Sequence, residues 1–149
     1  MTAIAPSIEN LSLSVSDEIH IKAPIAATFD ALLEEMGPSN KGHNDTPMPM
    51  KLEAWPGGRW FRDLGDNNGH LWGHVQAIKR PTLLEINGPL MMSFGVASNL
   101  QYRLKEEPGG TLITLRHSAL GLFPEGYREA LGQGWPQLIE RIRRRVEKK

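Results

Sequence analysis

The side chains best suited to chemistry crowd into one stretch. Residues 55–74, WPGGRWFRDLGDNNGHLWGH, hold three of the four tryptophans and two of the five histidines. His70 and His74 stand four apart, a spacing that would put both on one face of a helix. Asn68-Gly69 and Gly73 argue instead for a strand, and four residues of strand span ~13 Å. Two ligands each ~2.1 Å from one zinc cannot lie that far apart. A shared metal is therefore not expected, and both rings read as solvent-facing or as the rim of a pocket. His117, in TLITLRHSAL, shares parity with Ile113, Leu115 and Ala119 and so is expected to point inward. Such a ring is either a hydrogen-bonded core group or the polar group that orients a ligand in an apolar pocket. His20 falls on a polar parity and reads as outward. His43 sits beside Asp45 in a loop, with no assigned role.

Other chemistries find little support. Ser93, Ser98 and Ser118 lack the GxSxG context of a nucleophile elbow. The glycine pairs 57–58 and 109–110 read as hairpin turns, because neither precedes a helix as a phosphate loop does. Glu34-Glu35 and Glu106-Glu107 fall at element ends and read as solvated. Arg62 and Asp63 read as a possible exposed pair. No catalytic residue, metal site or cofactor is assigned. What remains is aromatic and sulfur-rich surface. Tryptophan offers an indole N–H to a ligand's polar end, and methionine adapts to irregular surfaces. Most of these residues read as core. Those expected to line a pocket are Trp60, Trp72, Met92, Tyr102, His117 and Trp135. Trp60 and Phe61 must face opposite sides of their strand, and Trp60 is taken as the inner one.

The elements that would position these groups follow from period and punctuation. Leu11, Leu13, Val15, Ile19 and Ile21 alternate with Ser12, Ser14, Ser16, Glu18 and His20, the pattern of a half-buried strand, with Asp17 as its one break. Pro24 can open a helix, and Ile25, Phe29, Leu32, Leu33 and Met36 then recur at helical spacing until Gly37-Pro38. Residues 37–49 have no period and read as a loop. Short runs then alternate with turns: MKLEAW, RWFRDL, HLWGHVQAIK, TLLEIN, a short LMMSF, NLQYRLKEE and TLITLRHSAL. Turns rich in Gly, Asn and Asp between such runs specify an antiparallel meander. Pro124-Glu125 opens a terminal helix with a stripe of Tyr127, Leu131, Trp135, Leu138, Ile142 and Val146. Gly132, Gly134 and Pro136 interrupt it, so a kink or break is expected near residues 133–136. Glycines there would let the helix approach the sheet closely, or leave room for something else.

Composition bounds the rest. The 149 residues fit one domain, read as a loose tail over 1–10 and a single domain over 11–149. Lys plus Arg and Asp plus Glu number 17 each, and zero net charge argues against a nucleic-acid binder. Six basic residues fall between Arg141 and Lys149; they read as a solvated helix end suited to the helix dipole, with a patch for acidic lipid or RNA as the alternative. With no cysteine, disulfides and zinc–thiolate sites are excluded. The N-terminus lacks the basic and apolar regions of a signal peptide, and no apolar run is long enough to span a membrane. A cytoplasmic monomer or homodimer is the expectation.

Five segments in this order resemble a known superfamily: IKAPIAATFDAL (21–32), WPGGRWFRDL (55–64), GHVQAIKRPTLLEI (73–86), PGGTLITLRHSAL (108–120) and GWPQLIERI (134–142). The chain resembles the helix-grip proteins, which include START domains, birch-pollen allergens and polyketide cyclases. Within them it is similar to the family with homology to the activator of the heat-shock protein 90 ATPase. The resemblance implies an α+β fold, a curved antiparallel sheet of about seven strands wrapped on a long C-terminal helix, with a hydrophobic cavity between them. Two departures stand out. Pro136 directly after Trp135 is not part of the usual pattern, and the 37–49 loop lacks the aromatic segment many members carry, which would leave the pocket's mouth open or mobile. The expected function is binding of a hydrophobic small molecule in that cavity. The alternatives are a chaperone cofactor, as the family name suggests, and a cyclase- or hydrolase-type enzyme with His117 as general base.

Overall fold

The computed structural model describes residues 11–147, apart from the side chains of residues 131–133. The expected tail over 1–10 and the expected stripe position Leu131 fall outside what is described. Seven antiparallel strands form one sheet: β1 (Ser12–Ile21), β2 (Lys51–Leu52), β3 (Arg59–Gly65), β4 (Asn68–Lys79), β5 (Leu83–Gly88), β6 (Val96–Glu107) and β7 (Gly110–Gly121). Their spatial order is β1-β7-β6-β5-β4-β3-β2. Helix α1 (Ile25–Met36) connects the two edge strands, and helix α2 (Tyr127–Val146) ends the chain. This is the α+β helix-grip fold.

The alternation in β1 and β7 works as its period requires. Leu13 and Ile21 are buried on β1, and Thr111, Ile113, Leu115, His117 and Ala119 are buried on β7. On β6 the buried set is Ser98, Leu100, Tyr102 and Leu104. Residues two apart face one side, so one face of the sheet becomes apolar and the other wet. The wet face carries polar ladders: Glu85 Oε2 accepts hydrogen bonds from Asn99 Nδ2 at 2.7 Å and Gln101 Nε2 at 3.0 Å. The apolar face joins Phe29, Leu32 and Met36 of α1 and Trp135, Leu138, Ile139 and Ile142 of α2 in one core.

Several local expectations need correction. β2 is two residues long, not the six of MKLEAW. LMMSF is not a strand: Leu90 has φ 60, a left-handed conformation outside the extended range of a non-glycine strand residue. α2 begins at Tyr127, after Gly126 in the left-handed region, and runs unbroken through Pro136. Of the kink or break expected near 133–136, the break does not occur. Pro136 removes one backbone donor, but Trp135, Leu138, Ile139 and Ile142 on either side are buried. That burial of large apolar groups, at about 1.5–3 kcal/mol each, offsets the loss.

The basic end of α2 is also not a merely solvated helix terminus. Arg141 is 7% exposed and pairs with Glu35, itself 3% exposed. Arg145 reaches the same carboxylate at 2.7 Å. Arg143 donates to the His20 carbonyl at 2.9 Å and pairs with Glu140 and Glu147. Glu35 is therefore not solvated, because two arginines from the other helix fold over it. Glu107 likewise meets His20 Nδ1 at 2.8 Å. Arg62 and Asp63 do not pair with each other. As strand neighbours they point apart: Asp63 binds Lys51 at 2.7 Å and Arg62 donates to the Pro49 carbonyl at 2.8 Å.

Candidate functional site

The β3–β4 hairpin places two tryptophans side by side. Asp66 and Asn67 take φ 53 and 61, the left-handed pair that a tight hairpin turn needs. Trp60 then faces Gly73 and Phe61 faces Leu71, so Trp72 is an extra residue on β4. Such a bulge shifts the parity of the strand. Trp72, Gly73 and Val75 are consequently all buried, while His74 is exposed. Gly73 is the residue this bend tolerates, since a Cβ there would lie 2.5 Å from the Asn87 carbonyl oxygen. The Trp60 and Trp72 rings meet edge-on with centroids 4.9 Å apart. The Trp60 indole donates to the Met36 carbonyl at 2.8 Å, which satisfies one of the free carbonyls at the end of α1.

Trp135 approaches from α2. Its indole N–H donates to His117 Nδ1 at 3.0 Å, and the rings are edge-on with centroids 5.5 Å apart. Because the indole is only a donor, Nδ1 is the acceptor and the neutral ring carries its proton on Nε2. Burial holds the His117 pKa down to about 4. The imidazole is therefore neutral at ordinary pH. Burial raises the Tyr102 phenol far above its ordinary range, with Arg141 nearby acting weakly the other way. His117 Nε2, Tyr102 Oη and Ser98 Oγ are buried without a hydrogen-bond partner among the described residues. Leu100 pairs with His117 in the ladder, so these three groups lie on alternate rungs of β6 and β7, on one face of the sheet.

Between the tryptophans, α2 and the 40–48 loop lies a cavity of about 670 Å³. Trp60, Trp72, Met48, Met91, Trp135 and Leu138 supply its apolar wall. Exposed Lys41, Ala130 and Gln137 form part of its rim. A Cβ at Gly134 would meet nothing within 4 Å, so this glycine leaves room and makes no tight helix–sheet contact. The loop that borders the mouth is internally bonded. Met48 N–H donates to the Asn40 carbonyl at 2.9 Å and Gly42 N–H to the Thr46 carbonyl at 2.8 Å. Asn40, 5% exposed, donates from Nδ2 to the Met48 carbonyl at 3.0 Å.

Of the six residues expected at a pocket, Trp60, Trp72 and Trp135 line this cavity. Met92, Tyr102 and His117 are buried in the core and are not among its lining residues. His117 is one hydrogen bond behind the wall, through Trp135. His70 accepts from the Trp72 indole at 3.1 Å and does not converge with exposed His74. Among the described residues no group of three or more His, Asp or Glu is placed to hold a metal ion. Sequence reasoning missed Arg141 and Asn40, which line the cavity. Arg141 falls three positions after Leu138 on the buried stripe, a charged residue in an apolar arc, and that was its signal.

Comparison with known proteins agrees with the geometry. No curated protein matches the chain in sequence. A putative uncharacterized protein from Rhizobium leguminosarum has a similar structure, with TM-score 0.70, 21% identity, and coverage of 93% of this chain and 96% of that one. The protein Ara h 8.0201 superposes with TM-score 0.68 at 14% identity, covering 93% and 99% of the two chains. The di-domain ARO/CYC StfQ of the steffimycin biosynthetic pathway gives TM-score 0.67 at 11% identity, over 95% of this chain and 52% of its own. At these identities the likeness is one of fold. No helix among the described residues is long and apolar enough to cross a membrane. The profile of one family matches residues 22–147, nearly the whole described chain. The chain therefore belongs to the Activator of Hsp90 ATPase homolog 1-like protein family.

Proposed function

We propose that the protein binds a hydrophobic small molecule in the cavity between the β3–β4 tryptophans and α2. The observation that carries this reading is the cavity itself, about 670 Å³ and walled by three tryptophans and two methionines. Ligand sites are concave, largely apolar and commonly ~300–1,000 Å³, with a few polar groups that fix orientation. Here Asn40, Lys41, His43 and Arg141 are the polar groups. The reading takes the protein to be cytoplasmic and its partner to be a small molecule.

A neutral dye, N-phenyl-1-naphthylamine, tests it. The dye should be taken up one-to-one with a rise in fluorescence. Ala130→Trp should abolish uptake, because Ala130 is an exposed helix residue on the cavity wall. Circular dichroism should show the variant folded. Uptake unchanged by Ala130→Trp would overturn the reading. The family's description favours a second one, a cofactor of a chaperone ATPase. The protein would then change the ATP turnover of a heat-shock protein 90 chaperone, and turnover unchanged at saturating protein would dispose of that reading.

A further inference from the structure

At one end of the cavity two arginines of α2 meet one buried carboxylate and one loosely held, exposed one. Glu35, buried on α1, faces two arginines of α2. Arg145 is 42% exposed at its side chain, so water shares its charge. Arg141 is 7% exposed and lines the cavity. Its Nε–H donates to Glu35 Oε1 at 3.1 Å. Its Nη atoms make no hydrogen bond among the described residues. Nη1 has Asp45 Oδ1 at 3.8 Å, within ion-pair range but beyond hydrogen-bond reach. Asp45 is itself half exposed, on the 43–45 turn at the cavity's edge, with φ 57. The Nη atoms are not among the buried side-chain atoms without a partner, so they are reached from the cavity that Arg141 lines, and a guanidinium's planar fork fits a carboxylate.

We infer that Arg141 anchors the head group of an anionic ligand, a carboxylic acid whose apolar body lies against Trp60, Trp72 and Trp135. This rests on the cavity being a ligand site. The acid's carboxylate accepts hydrogen bonds from the Nη atoms on the cavity side, where Asp45 supplies only a distant charge. Glu35 keeps Nε and fixes the plane of the guanidinium. Lys41, on the rim, adds attraction of the same sign. Asp45 competes weakly for the same site, so its removal favours the ligand.

Isothermal titration calorimetry with 6-phenylhexanoate and its neutral amide, 6-phenylhexanamide, tests this. The acid should bind at least about tenfold more tightly than the amide, the effect of one charge-assisted contact of ~1.4 kcal/mol. Arg141→Gln should remove the acid's advantage over the amide. Asp45→Asn should strengthen acid binding about threefold and leave the amide unchanged. Asp45 is a surface residue, so this variant decides the matter even if Arg141→Gln fails to fold. Equal binding of acid and amide, or an acid affinity insensitive to Asp45→Asn, would overturn the anion anchor and leave the apolar site standing. Binding of neither compound would overturn both.

Discussion

The molecule contains one local arrangement twice. At Trp72 and at Trp135 an indole N–H donates to a histidine Nδ1, at 3.1 and 3.0 Å, with the rings edge-on at 75° and 86°. The surroundings differ. His70 is half-buried, and its Nε2 is 3.4 Å from the Ser93 hydroxyl at an exposed position. His117 is fully buried and its Nε2 has no partner among the described residues. The Trp72 pair lies within one strand, two residues apart, and stiffens the cavity wall. The Trp135 pair joins helix to sheet across 18 positions. Identical chemistry therefore has unequal consequences. Water can replace the lost partner at the first site but not at the second.

Four experiments would break or sharpen that contrast. The largest effect belongs to Trp135→Ala, which removes a buried ring and uncovers His117. It should cost about 3–5 kcal/mol in urea unfolding, and a loss below ~1 kcal/mol would show that α2 does not depend on this contact. Acid comes next. The folded-state pKa of His117 is about 4, below the unfolded value of 6.5. Stability from the neutral ring is then complete above pH ~6.5, falls as pH drops toward ~4, and levels off below. The span is about 3 kcal/mol for this one group. His117→Gln should flatten that part of the stability–pH curve, and an unchanged curve would remove the histidine from the account. Trp135→Phe keeps a ring but strips the N–H from a buried acceptor, and should cost about 1–3 kcal/mol. Trp72→Phe makes the same deletion where water reaches His70, and should cost about 1 kcal/mol or less. Equal losses for the two phenylalanine variants would erase the distinction.

What the sequence reveals here follows the range of the forces involved. Alternation in β1 and β7 and the glycine-rich turns are local, so the meander and the inward face of His117 were legible. The stripe of α2 was legible too, but Pro136 read as a break because a local penalty carries no information about the burial on either side. Leu90 and Met92 looked like strand for the same reason: their apolar character reflects burial under 1–2% exposure, while φ 60 at Leu90 sets the conformation. The bulge at Trp72 was hidden, since nothing in HLWGHV marks an extra residue until its partner strand is known. The pairing of Glu35 with Arg141 spans 106 positions and left no local trace. Both residues nonetheless sit in the buried arcs of their helices, and a charge in each of two apolar arcs is a readable sign of a pair. The cavity's three tryptophans were legible as aromatic excess. Of its polar end only Arg141 left a sign, as a charge on an apolar stripe, because Asn40 reaches it through the tertiary fold alone.

The central claim is that the space between hairpin and helix is a ligand site. Native mass spectrometry of the purified protein, set against the same sample denatured, tests it most directly. The account predicts a reproducible extra mass of a small molecule that leaves on denaturation and is absent from Ala130→Trp. The mass of the bare chain alone, in both proteins, would contradict it.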